Sequence, residues 1–201
     1  MMKVLRTSLL LALLLTATAV LGQTTDNPQV PSTPAEAPAT TPTPSSTEPQ
    51  AGLPSAALTE ARRLINAGEA ECVLLKGDNI HAVERGHGVS PLLNLYDRLG
   101  REGMCGATLV DKVIGRAAAC IAICGGVTHV HGELMSEDAI TFLADNGISE
   151  SHTTLVPRIL NQRRDGLCPL EQSVLDITDP ATALSALRKR VEDLMSGAYV
   201  P

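Results

Sequence analysis

The sequence predicts an α/β layered domain built around a mixed sheet. Three observations carry this: an opening hairpin signal, runs of strand type alternating with runs of helix type after it, and turn or cap residues between them. "CVLLKGDNIHAVERG" supplies the hairpin, with two short apolar runs on either side of Gly77-Asp78-Asn79. "VTHVHGELM" and "SESHTTLVPRI" read as later strands, and "SEDAITFLADNG" between them reads as a helix.

The elements follow in order. "LPSAALTEARRLINAGEA" is a helix, because Leu58, Ala61, Leu64 and Ile65 share one face and Gly68 closes it. After the hairpin, "VSPLLNLYDRLG" starts a helix with Ser90 as N-cap and Pro91 at the first helical position, and stops at Gly100. "ATLVDKVIGRAAACIAICGG" reads as one long helix, apolar almost all round and therefore buried, with Asp111, Lys112 and Arg116 near its start and Gly125-Gly126 at its end. Ser136 caps the helix between the two later strands, with acids in its first turn and Asn146-Gly147 as its stop. "CPLEQSVLDI" and "DPATALSALRKRVEDLM" close the chain as helices, the second capped by Asp179 with Pro180 in its first turn. There is no internal repeat.

The ends and the composition bound the function. Residues 1–22 have the form of a secretory signal: Lys3 and Arg6, the apolar "LLLALLL", then Val20-Leu21-Gly22. The apolar run is shorter than the ~20 residues that span a bilayer, so no stable membrane span is expected after cleavage. Residues 23–55 are rich in Pro, Thr, Ser and Ala and read as a disordered tether. Residues 56–201 form one domain of ordinary size. The expected location is outside the cytoplasm, periplasmic or extracellular. Loss of Lys3 and Arg6 leaves 14 basic against 22 acidic residues, a formal charge of −8. That balance, with a near absence of aromatic side chains, argues against nucleic acid as a partner.

Five cysteines, an odd number for an exported chain, leave at least one unpaired within it. Cys168 stands out. Pro169 fits a first helical position, which makes Cys168 an N-cap facing unsatisfied N–H groups and the positive end of the helix, with Arg163 and Arg164 just upstream. Glu171, three positions on, is placed to bond back to that cap. Two readings follow for Cys168, a reactive thiol or a buried structural cap.

"DKVIGR", residues 111–116, raises a similar pair of readings. Asp111 and Lys112 opening a core helix need solvent, each other or a ligand. Gly115, costing ~1 kcal/mol in a helix interior, implies a close approach by a backbone or a ligand. Cys120, Cys124, His129 and His131 contain the donors of a tetrahedral zinc site, but the cysteines sit in the apolar "AAACIAIC" with no flanking signature, so no metal or other cofactor is expected.

The blocks "CVLLKGD", "DKVIGRAAA", "LVPRILNQRRDGLCPLEQSVLD" and "DPATALSALR" resemble the bacterial domain-of-unknown-function family DUF1893, across residues 56–196. That resemblance implies a three-layer α/β/α sandwich of the cytidine-deaminase-like class and no established activity. Zinc deaminases place H-x-E at the start of a buried second helix and P-C-x-x-C at the start of a later one. Here the first place reads Asp111-Lys112-Val113, the second motif is absent, and His131-Gly132-Glu133 falls on a strand. The resemblance also implies a pocket at the ends of the central strands. A cysteine helix reaching that pocket would gather Cys168, Lys112 and Asp111 as catalytic candidates, with Asn161, Arg163, Gly115 and Glu171 as binding candidates. The export signal and tether are departures from the family. Two functions stay open: a metal-free module binding a small molecule or a protein, and a cysteine-dependent enzyme of group transfer or redox.

Overall fold

Turn chemistry shapes the first half of the domain. In the computed structural model, which describes residues 55–197, the Gly77-Asp78 turn folds β1 (Cys72–Lys76) back onto β2 (Asn79–Glu84) as an antiparallel hairpin. Before it lies α1 (Ala56–Asn66), whose Ser55 side chain accepts from the Leu58 N–H. After it come α2 (Ser90–Met104), β3 (Thr108–Ile114), α3 (Arg116–Gly125), β4 (His129–Ser136), α4 (Glu137–Asp145) and β5 (Ser149–Val156). The single-turn α5 (Pro169–Gln172) and the longer α6 (Pro180–Met195) complete the fold. The leader and most of the tether expected from the sequence lie outside the described residues. No described helix is long and apolar enough to cross a membrane.

The sheet runs β2-β1-β3-β4-β5, with β1 antiparallel to both neighbours and β3, β4 and β5 mutually parallel. On one face α1 buries Ala61 and Ile65 against Val73, Leu75 and Val110. On the other, Leu74, Leu109 and Val130 meet the apolar sides of α2, α3 and α4, and α6 adds Leu184 and Leu187 to the same core. Burying each such aliphatic side chain stabilises the fold by roughly 1.5–3 kcal/mol. The mixed sheet with helices on both faces is the α/β/α sandwich that the sequence predicts.

Three local expectations are corrected. The apolar stretch read as one long helix is a strand, a break at Gly115 and a helix, so Asp111 and Lys112 lie within β3 rather than open a helix. A parallel strand covered on both faces reads as a continuous apolar run, and periodicity does not separate it from a buried helix. The helix expected from Cys168 to Ile177 lasts only four residues. Beyond it, the Arg116 guanidinium donates to the carbonyls of Val174 and Ile177, at 2.9 and 2.6 Å, and so draws that backbone into tertiary bonds. Finally, α2 begins at Ser90 with Val89 as an N-cap that makes no side-chain bond. It continues to Met104 across a kink at Gly100, whose φ of 61° is left-handed backbone suited to glycine.

Candidate functional site

Asp111 sits midway along β3, and lines one cavity with residues at the starts of α2 and α3. Against these starts folds the segment from Ile159 to Gln172, held as a tight loop by the Leu160–Leu167 bridge and by Asn161. The Asn161 side chain donates to Asp165 Oδ1 at 2.8 Å and its own Oδ1 accepts from the Asp165 N–H at 3.3 Å. The result is a cavity of about 950 Å³. All seven candidate residues line it: Asp111, Lys112, Gly115, Asn161, Arg163, Cys168 and Glu171. A smaller cleft between α2 and α6, near Asp97 and Arg188, contains none of them.

The seven do different work. Asp111 is 5% exposed, and its Oδ1 accepts from the Val113 N–H at 2.9 Å. Burial pushes its carboxyl up to about 7, the nearby Glu71 carboxylate acts in the same direction, and the N–H groups of Val113 and Lys112 oppose both. A carboxyl titrating there can hold or release a proton at neutral pH, which is the property of a general acid or base. Lys112 sits at the rim with its Nζ 3.9 Å from Glu71 Oε2. Cys168 is partly exposed at the entry of α5, makes no side-chain cap bond, and is held through its N–H to the Ile159 carbonyl at 3.0 Å.

Glu171 does not bond back to Cys168 as the local pattern suggests. Its Oε2 accepts from the Arg116 N–H at 2.8 Å and its Oε1 from the Ala117 N–H at 3.0 Å. The carboxylate thus caps α3, fifty-five residues away in sequence, where the helix dipole favours negative charge. Burial pushes Glu171 up, and the same two N–H groups pull against that. Gly115 is the N-cap of α3, and the close neighbour its lack of a side chain admits is this carboxylate. Gly115, Glu171 and Asn161 therefore shape the cavity wall, while Asp111, Lys112, Arg163 and Cys168 bring it a carboxyl, two cations and a thiol.

The same geometry tests the zinc that a deaminase-like fold implies. The second helix is α2, so the relevant starts read Gly88-Val89-Ser90 and, for α3, Gly115-Arg116-Ala117-Ala118. Neither supplies a ligand, and the α3 start is already satisfied by Glu171. The residues at this place do not fit a catalytic zinc. Among the described residues no group of three or more His, Cys, Asp or Glu is gathered as a metal site. Cys120 lies in the core as part of α3, while His129 and His131 bond Ser151 on the other face of the sheet, so those donors do not converge.

That other face holds a polar cluster the sequence reading missed. Arg62 of α1 donates to Glu133 Oε1 at 2.6 Å and to Thr153 Oγ1 at 2.8 Å, and Thr153 donates to Glu133 Oε2 at 2.8 Å. The Arg62 bond, aided by Thr153, holds the Glu133 carboxyl down at about 2 against the cost of burial. His131 Nε2 is buried without a hydrogen-bond partner, 3.6 Å from Glu133 Oε1, and burial lowers the ring's proton affinity. Alternation along β4 was the available signal, since His129, His131 and Glu133 fall on one side of it.

Comparison with known proteins places the fold. The family model described as "Domain of unknown function (DUF1893)" matches residues 60–191. A DUF1893 family protein from Thermotoga maritima superposes with a TM-score of 0.59 at 23% identity, covering 67% of this chain and 89% of that one. Two forms of Acinetobacter baumannii RibD show a weaker likeness, with TM-scores of 0.37 and 0.36 at 14% identity, and this chain spans 34% and 38% of their length. No curated protein matches.

Proposed function

The chain belongs to the DUF1893 family, and from that premise we propose that its folded domain is a metal-free small-molecule binding module. The single observation that supports this is the cavity itself. Segments distant in sequence converge on it, and a buried carboxyl, Asp111, lies in a wall that combines polar side chains with aliphatic groups such as Leu92, Val113 and Ile159. Sites of this kind bind through apolar contact and take their orientation from a few fixed polar groups. The ligand is a small, partly apolar molecule carrying N–H donors, which Asp111 accepts while Lys112 and Arg163 screen the rim. The domain works outside the cytoplasm, carried on the residue 23–55 tether after removal of residues 1–22, a reading supported by the leader and tether composition.

A second reading is favoured by one observation, that Cys168 opens on the same cavity as Asp111 and Lys112. There the thiol is the nucleophile of a group-transfer or redox step, with Asp111 moving the proton.

Native mass spectrometry of the protein purified from its host is the direct test. A retained small molecule that is lost from Asp111→Asn supports the binding module. Protein that carries nothing and shows no thermal shift across an amine and heterocycle library refutes it. Ligand-derived mass on Cys168 selects the second reading.

A further inference from the structure

The two edges of the sheet are built differently. At one, β2 meets β1 with a register shift between Leu74 and Leu75, the kind of irregularity that disfavours further strand addition. At the other, β5 runs eight residues without proline or lysine, and among the described residues it has a strand neighbour on one side only. Ser149 donates its N–H inward to Thr128 of the β4 side. Alternation along an extended strand then turns the N–H and C=O groups of Glu150, His152 and Thr154 outward. These groups form a regular row suited to a partner strand.

The side chains of that row are complementary to themselves. "SESHT", residues 149–153, reads hydroxyl, acid, hydroxyl, imidazole, hydroxyl. Antiparallel pairing with a second copy about a two-fold axis at Ser151 sets Ser151 opposite its own copy. It also sets Glu150 opposite the second copy's His152, and Ser149 opposite the second copy's Thr153. Glu150 and His152 are mutually compatible partners, since they already bond within one chain at 2.9 Å. The axis also agrees with the backbone: Glu150 and His152 both point outward and form the hydrogen-bonded pair, while Ser151 points inward and forms the non-bonded one. A register moved by one residue would place Glu150 opposite its own copy, or His152 opposite its own. We infer that this chain self-associates through β5, joining two five-stranded sheets into one continuous sheet across a two-fold axis at Ser151.

The interface is tested by mass and by register. Sedimentation velocity of the purified chain, from micromolar to submillimolar concentration, is expected to show a reversible dimer. His152→Glu sets carboxylates across both symmetric pairs and raises the dissociation constant by roughly tenfold or more. The swap Glu150→His with His152→Glu restores the complementarity and brings dimerisation back, a result that a merely misfolded strand would not give. In a Cys105→Ser background, Ser151→Cys forms a disulfide across the axis under mild oxidation, because a non-bonded pair holds its Cα atoms ~4.5 Å apart. A chain that is monomeric throughout overturns the inference. So does a dimer indifferent to His152→Glu, one the swap fails to rescue, or one that Ser151→Cys does not cross-link.

Discussion

The Glu171 carboxylate stands directly over the Cα of Gly115. A methyl group added at that glycine would come within 2.6 Å of Glu171 Cδ and overlap both carboxylate oxygens. One residue gives up its side chain so that another can cap a helix from a distant segment. The cavity wall depends on the pair.

Gly115→Ala is therefore expected to destabilise the domain by roughly 2–4 kcal/mol, in the range of overpacking together with a lost charged cap. Glu171→Ala alone should cost less, roughly 1–3 kcal/mol for two unsatisfied N–H groups. The double variant should fall short of the sum, because removing the carboxylate removes the clash. Chemical denaturation of all three would show this, and strict additivity would deny that the two residues meet.

Asp111 makes stability fall with rising pH. Its carboxyl titrates near 3.8 when exposed and at about 7 in the fold. The folded state thus holds a proton that the unfolded chain has released. The stabilisation is complete below the lower value and is lost as pH climbs through the upper one. At ~1.4 kcal/mol per unit, the full effect is roughly 4 kcal/mol at most. Asp111→Asn should flatten the stability profile between about pH 4 and pH 7, leaving the variant relatively more stable at pH 8 than at pH 5. Parallel profiles for variant and wild type would contradict it.

Glu133 acts with the opposite sign. Arg62 and Thr153 hold its carboxyl at about 2, below its ordinary 4.5. Its contribution is present above the ordinary value and disappears as pH falls through the lower one. Arg62→Gln should cost roughly 1–2 kcal/mol at neutral pH, since Glu133 is mostly buried and loses its charged partner. The loss should shrink toward pH 2. Urea titrations at both pH values would measure it, and an equal loss at each would rule out the pairing as its source.

The thiols sort by depth. Cys72 and Cys120 lie fully inside, and burial pushes both thiols up. They should resist alkylation until the fold opens. Cys105 is exposed and should react first, followed by the partly exposed Cys168. Ligand in the cavity should slow Cys168 alone. Peptide mapping after a timed alkylation separates the sites, and a Cys168 rate unmoved by saturating ligand would place the ligand elsewhere.

Local chemistry made much of this molecule readable. Ser136 and Asp179 cap the helices expected of them, accepting from the Ala139 and Thr182 N–H groups. The hairpin, the alternating strands and the family blocks likewise gave an α/β/α sandwich and pointed to the residues now found around one cavity. Those signals act over a few residues, and the sequence displays them directly. What needed the tertiary structure was every decision made between distant segments. The run through Asp111 is a strand because α1 covers one face of it and the α2–α3 layer the other, while its apolar pattern suits either state. Glu171 caps α3 rather than its own helix, because packing brings the unsatisfied N–H groups of Arg116 and Ala117 to its carboxylate. A local pattern names the donors and acceptors, but which of them meet is settled by where the burial of apolar surface folds the chain.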